Sequence, residues 1–171
     1  MIGEFIEREN NMRVIEKATA KDKDEILKLY KSQLGRKYCP WNEDYPSMET
    51  IDFDLSRDAL LVMRQEGKII AAISVDDDEE VNNLECWTSE LQPGGELSRL
   101  AVSPDCQSKG LAKEMIEKGL EELKDRSYKS LHFLVNRNNL KALKCYSAFP
   151  FNKVGECEIY EQPMLCYEME L

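Results

Sequence analysis

Glu96-Leu97-Ser98-Arg99-Leu100-Ala101-Val102-Ser103-Pro104-Asp105-Cys106-Gln107-Ser108-Lys109-Gly110-Leu111-Ala112 is the stretch whose reading decides the fold. Its first seven residues read as a strand, yet neither alternate parity is cleanly apolar. Glu96, Ser98, Leu100 and Val102 fall on one, Leu97, Arg99 and Ala101 on the other. A β-bulge accounts for such a pattern, because one extra residue re-aims the side chains around it. Past Gly110, the residues Leu111, Ala112, Met115, Ile116, Gly119, Leu120 and Leu123 recur at helical spacing and make the clearest amphipathic stripe in the chain. A strand therefore runs through a short polar loop into a helix. The first N–H groups of a helix have no intrahelical partner and sit at the positive end of its dipole. Gln107 to Ala112 is accordingly read as a main-chain cradle for a phosphate, with Gly110 letting the backbone approach it closely.

On the N-terminal side of this stretch, residues 13–18 read as a strand, and Thr19 with Asp22 as a capping box opening a helix that carries Ile26, Leu27, Tyr30 and Leu34. Residues 38–56 are aromatic, acidic and broken by Pro40 and Pro46, so irregular structure and a short helix are expected there. Residues 59–64 and 68–75 are β-rich runs joined by Gln65, Glu66 and Gly67, the signature of a tight hairpin. The acidic run 76–80 is read as a solvated turn.

On the C-terminal side, residues 131–135 read as a strand, followed by a helix that Asn138 or Asn139 caps and that Pro150 forbids from continuing beyond Phe149. Residues 154–159 then pair with a last strand in which Leu165, Tyr167, Met169 and Leu171 alternate with Cys166, Glu168 and Glu170.

The 171 residues suit one domain. Residues 12–171 are read as that domain, and residues 1–11 as an N-terminal extension or a cloning remnant. Acidic residues number 33 against 23 Lys and Arg, a net charge of −10, so a surface that tracks nucleic-acid phosphates is not expected. Such a field favours the approach of cationic amines. Six cysteines without a C-x-x-C pair and a single histidine, His132, give no metal-ligand spacing, so no metal is expected. The cysteines are read as reduced thiols of a cytoplasmic protein. No segment has the roughly 20 apolar residues that span a bilayer, so no membrane partner is expected.

Two motifs carry a resemblance. L-x-R-L-A-V-x-P followed by Q-x-x-G-x-A resembles the coenzyme A signature of the GNAT superfamily of N-acetyltransferases. Asn139, Ala142, Tyr146 and Phe151 stand in that family's N-x-x-A-x-x-x-Y-x-x-x-G-F pattern, with Pro150 in the glycine position. The resemblance implies an α/β (α+β) fold: a mixed, mostly antiparallel sheet flanked by helices, with a bulged fourth strand beyond which the sheet splays to admit the cofactor's pantetheine arm. It implies acetyl-CoA as co-substrate, held by Leu100, Ala101, Val102, Gln107, Ser108, Lys109, Gly110, Leu111, Ala112, Asn139 and Tyr146. It further implies direct transfer to an amine in a ternary complex, with Tyr146 as the acid for the departing thiolate and Glu96 as the base.

Trp41, Tyr45 and Trp87 lie where the family varies for substrate and are candidate acceptor residues, with core packing as their ordinary alternative. The expected acceptor is a small-molecule primary amine. A peptide or protein amine is the second class, a non-catalytic acyl-CoA-binding module is the rival reading, and a homodimer is left open.

Overall fold

The computed structural model describes residues 12–171; residues 1–11, read above as an extension, lie outside the described residues. Strand β1 (Arg13–Lys17) leads through a 3-10 turn into α1 (Lys23–Lys31), and the Asp22 carboxylate accepts from the Thr19 backbone N–H at 2.8 Å and from its hydroxyl at 3.3 Å. Helix α2 (Met48–Ser56) opens at Ser47, whose Oγ accepts from the Thr50 N–H. Strands β2 (Leu60–Gln65) and β3 (Lys68–Asp76) are joined by Glu66 and Gly67, with φ of 53° and 76°. Two consecutive positive φ values match the twist of a tight hairpin. There follow α3 (Glu79–Asn82), β4 (Gly94–Val102), α4 (Leu111–Asp125), β5 (Ser130–Asn136), α5 (Leu140–Tyr146), β6 (Asn152–Ile159) and β7 (Gln162–Glu170).

The strands form one mixed sheet of order β1-β2-β3-β4-β5-β7-β6, antiparallel throughout except between β4 and β5. On one face Ile26, Leu29, Tyr30 and Ile51 of α1 and α2 pack on Leu60, Val62, Ala72 and Ala101. On the other, Leu111, Met115, Ile116 and Leu123 of α4 pack on Leu61, Met63, Ile73 and Val75.

The expected bulge is in β4. Ala72 pairs with Ala101 and Ser74 with Ser98, so Arg99 and Leu100 together oppose Ile73, and Arg99 takes φ of 48°. Strands β4 and β5 pair only at Gly94↔Ser130 and Gly95↔Leu131 and then part. Glycine is needed at that end: a Cβ on Gly94 would stand 2.5 Å from His132 Nδ1 of β5, and one on Gly95 would stand 2.4 Å from Leu123 Cδ2 of α4 and 3.1 Å from the Tyr128 ring. Gly95→Ala should therefore lower stability by about 1–3 kcal/mol through overpacking. Urea unfolding checks this, and an unchanged midpoint would show that Leu123 yields without cost.

The local readings gain detail at three places. The acidic run is solvated at Asp78, Glu79 and Glu80 but not at its start: Asp76 is buried and accepts from Arg57 Nη2 at 2.7 Å, while Asp78 caps α3. The helix after Asn139 ends at Tyr146, within the limit that Pro150 sets. Strand β7 lies between β5 and β6 and is covered on both sides, so Cys166 and Glu168 are buried along with Leu165; the Thr88 N–H donates to Glu168 at 3.0 Å.

Candidate active site

The loop between β4 and α4 is built to leave its amides free. Among the described residues, the N–H groups of Gln107 through Ala112 make no hydrogen bond, whereas Glu114 N–H already reaches the Gly110 carbonyl at 3.2 Å. Ser108 and Gly110 have φ of 63° and 76°, so the chain curls and presents successive N–H groups to a common concavity. A Cβ at Gly110 would meet no protein atom within 4 Å; glycine is required by the backbone angle, and the space before it is open. The loop is tied down at Gln107, whose Nε2 donates to the Val102 carbonyl at 2.7 Å and whose Oε1 accepts from Lys141 Nζ at 2.9 Å.

From this cradle a groove of about 380 Å³ runs into the gap between β4 and β5. Leu100, Val102, Gln107, Ala112, Asn139 and Tyr146 of the expected cofactor set line it. Leu111 is buried in the core, and Ala101 faces α1 and α2 on the far side of the sheet, one parity step from Leu100 and Val102, so these two offer only backbone. Asn139 caps α5, its Oδ1 accepting from Ala142 N–H at 3.1 Å.

Glu96 and Tyr146 line the same groove, one from β4 and the other from α5. The Glu96 carboxyl is pushed up to about 8, first by burial and then by Asp78, with Asp76 and Asp77 adding and Arg99 opposing. Tyr146 is held against Phe133, ring centroids 4.6 Å apart. Burial pushes its hydroxyl up to about 12, with Cys145 and Glu96 contributing, so it stays protonated at neutral pH. A weak base and a neutral hydroxyl thus share a partly buried, largely apolar groove. Among the described residues no group of three or more His, Cys, Asp and Glu side chains is arranged to hold a metal ion, and no helix is long and apolar enough to cross a membrane.

Residues 23–151 match the family model of the acetyltransferase (GNAT) family. The chain belongs to the GNAT family. It is an acyltransferase of the N-acetyltransferase kind, and its mixed sheet is the GNAT fold. A curated relative, an uncharacterized N-acetyltransferase of Archaeoglobus fulgidus, is 27% identical over 78% of this chain and 89% of its own length. Among solved structures, the ribosomal-protein-alanine N-acetyltransferase of Brucella melitensis superposes with a TM-score of 0.74 at 20% identity, covering 92% of this chain and 99% of its own. YncA of Salmonella typhimurium, a structure with its cofactor acetyl-CoA, gives 0.73 at 15% identity, covering 94% and 95%.

The GNAT groove also contains an ion pair the motifs did not point to. Arg99, turned by the bulge, sends Nε and Nη2 to the fully buried Asp54 carboxylate at 2.9 and 2.6 Å. Its Nη2 further donates to Ser74 Oγ at 3.2 Å, and its Nη1 to the Tyr45 hydroxyl at 3.2 Å. Arg99 stands inside the quoted motif, but its partner is 45 residues away on α2, and nothing local signals that pairing.

Of the three candidate acceptor aromatics, Trp41 lines the groove, edge-on to Tyr30 at 5.4 Å. Tyr45 stands beside it through Arg99, with 43% of its surface exposed. Trp87 is elsewhere: its indole N–H donates to the Val81 carbonyl at 2.7 Å and its ring stacks on buried His132 at 4.5 Å. It closes the second face of β5 and β7, so its packing alternative holds.

Proposed function

We propose that this GNAT acyltransferase moves an acetyl group from acetyl-CoA to a primary amine of a small molecule by direct attack in a ternary complex, residues 12–171 acting as one catalytic unit. The observation that carries this reading is the groove itself. Six unpaired amides lie at one end of it, and Glu96 and Tyr146 both line it.

The donor supplies an acetyl group already activated as a thioester. The amides of Gln107 to Ala112 bind its diphosphate, and the helix dipole of α4 adds partial positive charge there. The edges of β4 and β5, left unpaired beyond Gly95, lie alongside the pantetheine arm. Glu96 takes the proton from the ammonium of the acceptor, directly or through a water. Tyr146 donates its hydroxyl hydrogen to the sulfur as negative charge develops there. A hydroxyl raised to about 12 is a poor acid in water, but the same burial also raises the proton affinity of a thiolate beside it. Holding the amine against the thioester supplies much of the acceleration, so no covalent cysteine step is invoked.

A peptide amine is the second acceptor class, favoured by the fold shared with the Brucella protein that bears the name of a ribosomal-protein alanine acetyltransferase. A non-catalytic acyl-CoA-binding module is disfavoured by the groove, which is open and is lined by Glu96 and Trp41 as well as by the cradle residues.

Mixing acetyl-CoA with a panel of small amines and peptides and following free thiol tests the reading. Turnover of at least one amine is expected, and Tyr146→Phe should lower its rate about 10²-fold or more. Thiol release at the wild-type rate in the phenylalanine variant would remove the acid role. Absence of any acetyl transfer across the panel would remove the proposed acceptor class.

A further inference from the structure

The groove is lined by cations, two of which, Arg36 and Lys37, lie outside both motifs. Of the charged side chains lining the groove, Arg36, Lys37, Arg99 and Lys141 are basic and only Glu96 is acidic, in a chain of net charge −10. Three of the four cations have an occupation: Arg99 is forked onto Asp54, Lys141 donates to Gln107 of the cradle, and Lys37 lies over the Tyr38 ring at 5.0 Å. Arg36 differs from them. Its Nη1 is shut off from solvent and has no hydrogen-bond partner. An unsatisfied buried donor of a charged group is destabilising, and a turn of the guanidinium toward a ligand oxygen in the groove would relieve it.

The backbone fixes where that ligand must be. Arg36 N–H donates to the Gln33 carbonyl at 3.2 Å and its own carbonyl accepts from Cys39 N–H at 3.0 Å, which pins the loop on both sides of Arg36. Gln33 in turn sends Nε2 to the Val102 carbonyl at 3.0 Å, the same oxygen that accepts from Gln107 of the cradle. One carbonyl therefore ties together the loop bearing Arg36 and the loop bearing the free amides. The two stand at the same end of the groove, far from Glu96 along β4.

We infer that Arg36 is a side-chain arm of the phosphate site, its guanidinium binding a phosphate oxygen of the coenzyme A moiety from across the groove, opposite the main-chain cradle. The inference rests on the coenzyme A reading given above. A planar fork suits phosphate oxygens better than a point charge does, and its pinned backbone leaves little ordering to be done on binding.

Calorimetric titration of coenzyme A into the wild type, Arg36→Gln and Arg36→Lys proteins tests it, together with the unfolding midpoint of each without ligand. Arg36→Gln should weaken coenzyme A about 10- to 100-fold, the range for a hydrogen bond to a charged group. Arg36→Lys should recover part of the loss, and binding by the glutamine variant should depend less steeply on salt. Ligand-free midpoints should be unchanged or higher, because an orphan charge has been removed. Equal affinity in the wild type and the glutamine variant overturns the inference. A lowered ligand-free midpoint also overturns it, since Arg36 would then be holding the loop. Unchanged coenzyme A affinity with a raised KM for the acceptor would overturn it too, assigning the anion to an acceptor carboxylate. Failure of the wild type itself to bind coenzyme A would instead strike the functional reading on which the inference stands.

Discussion

Glu96→Gln is expected to lower kcat/KM by about 10²- to 10⁴-fold, the usual contribution of a positioned proton-transfer group, while making the protein more stable in mild alkali. The two effects share one origin, the surroundings that push the Glu96 carboxyl up to about 8. An ordinary glutamate titrates near 4.3 and an alkyl ammonium near 10.4, so proton transfer between them is uphill by roughly 8 kcal/mol; from 8, the gap shrinks to about 3 kcal/mol. Burial beside Asp76, Asp77 and Asp78 thus turns a weak base into one matched to an amine.

The stability effect follows from linkage. Between the unfolded value near 4.3 and the folded value near 8, the native state holds more protons than the unfolded chain, so the wild type loses stability as pH rises through that window. Glutamine cannot ionise and escapes the loss. The variant and the wild type should unfold alike near pH 4 and diverge up to pH 8, with the variant ahead by on the order of 5 kcal/mol. Wild-type kcat/KM should carry an inflection near 8 that the variant lacks. A variant that is both slow and less stable at pH 8 would mean that Glu96 supports the fold instead, and the base assignment would go.

How far such a site can be read from sequence depends on how local each signal is. The hairpin turn at Glu66 and Gly67 and the stripe on α4 declare themselves within one element, because period and turn chemistry are properties of neighbouring residues. The bulge was legible for the same reason: its parity conflict lies within seven residues. The cradle was legible because a glycine between a strand and an amphipathic helix has few other uses. What sequence did not convey is set by partners far apart in the chain. Trp87 meets His132, Thr88 meets Glu168 and Arg99 meets Asp54 across 45 to 80 residues, and single side chains carry no record of that distance. The alternation of β7 conveyed its antiparallel pairing but not its burial, because it reports polarity, whereas burial of Glu168 depends on the segment that happens to cover it. Arg36 was silent because an arginine in an irregular loop is ordinarily solvated.

Asp54→Ala should be among the most destabilising single changes in this protein, by about 3–5 kcal/mol, because it strands the Arg99 guanidinium beneath α2 without its partner. Burial raises the Asp54 carboxyl above the ordinary carboxylate range, and Arg99 opposes that rise through a two-pronged contact, so the pair exists only as a unit. Its strength as a pair is not what makes the loss large; the charge left behind is. The same reasoning predicts the outcome of a double substitution. Asp54→Ala with Arg99→Met removes both charges and fills part of the space with an apolar chain, so the double variant should be more stable than Asp54→Ala alone. A double variant at least as destabilised as the sum of the two single changes would show that the contact itself, and not the stranded charge, sets the cost. Activity should not recover with stability. Arg99 anchors α2 and Tyr45 to the bulge, at the end of the groove proposed for the acceptor, and methionine offers neither hydrogen bond. Steady-state kinetics on the refolded double variant should therefore show a raised KM for the amine with little change in that for acetyl-CoA, separating the acceptor wall from the cradle at Gly110.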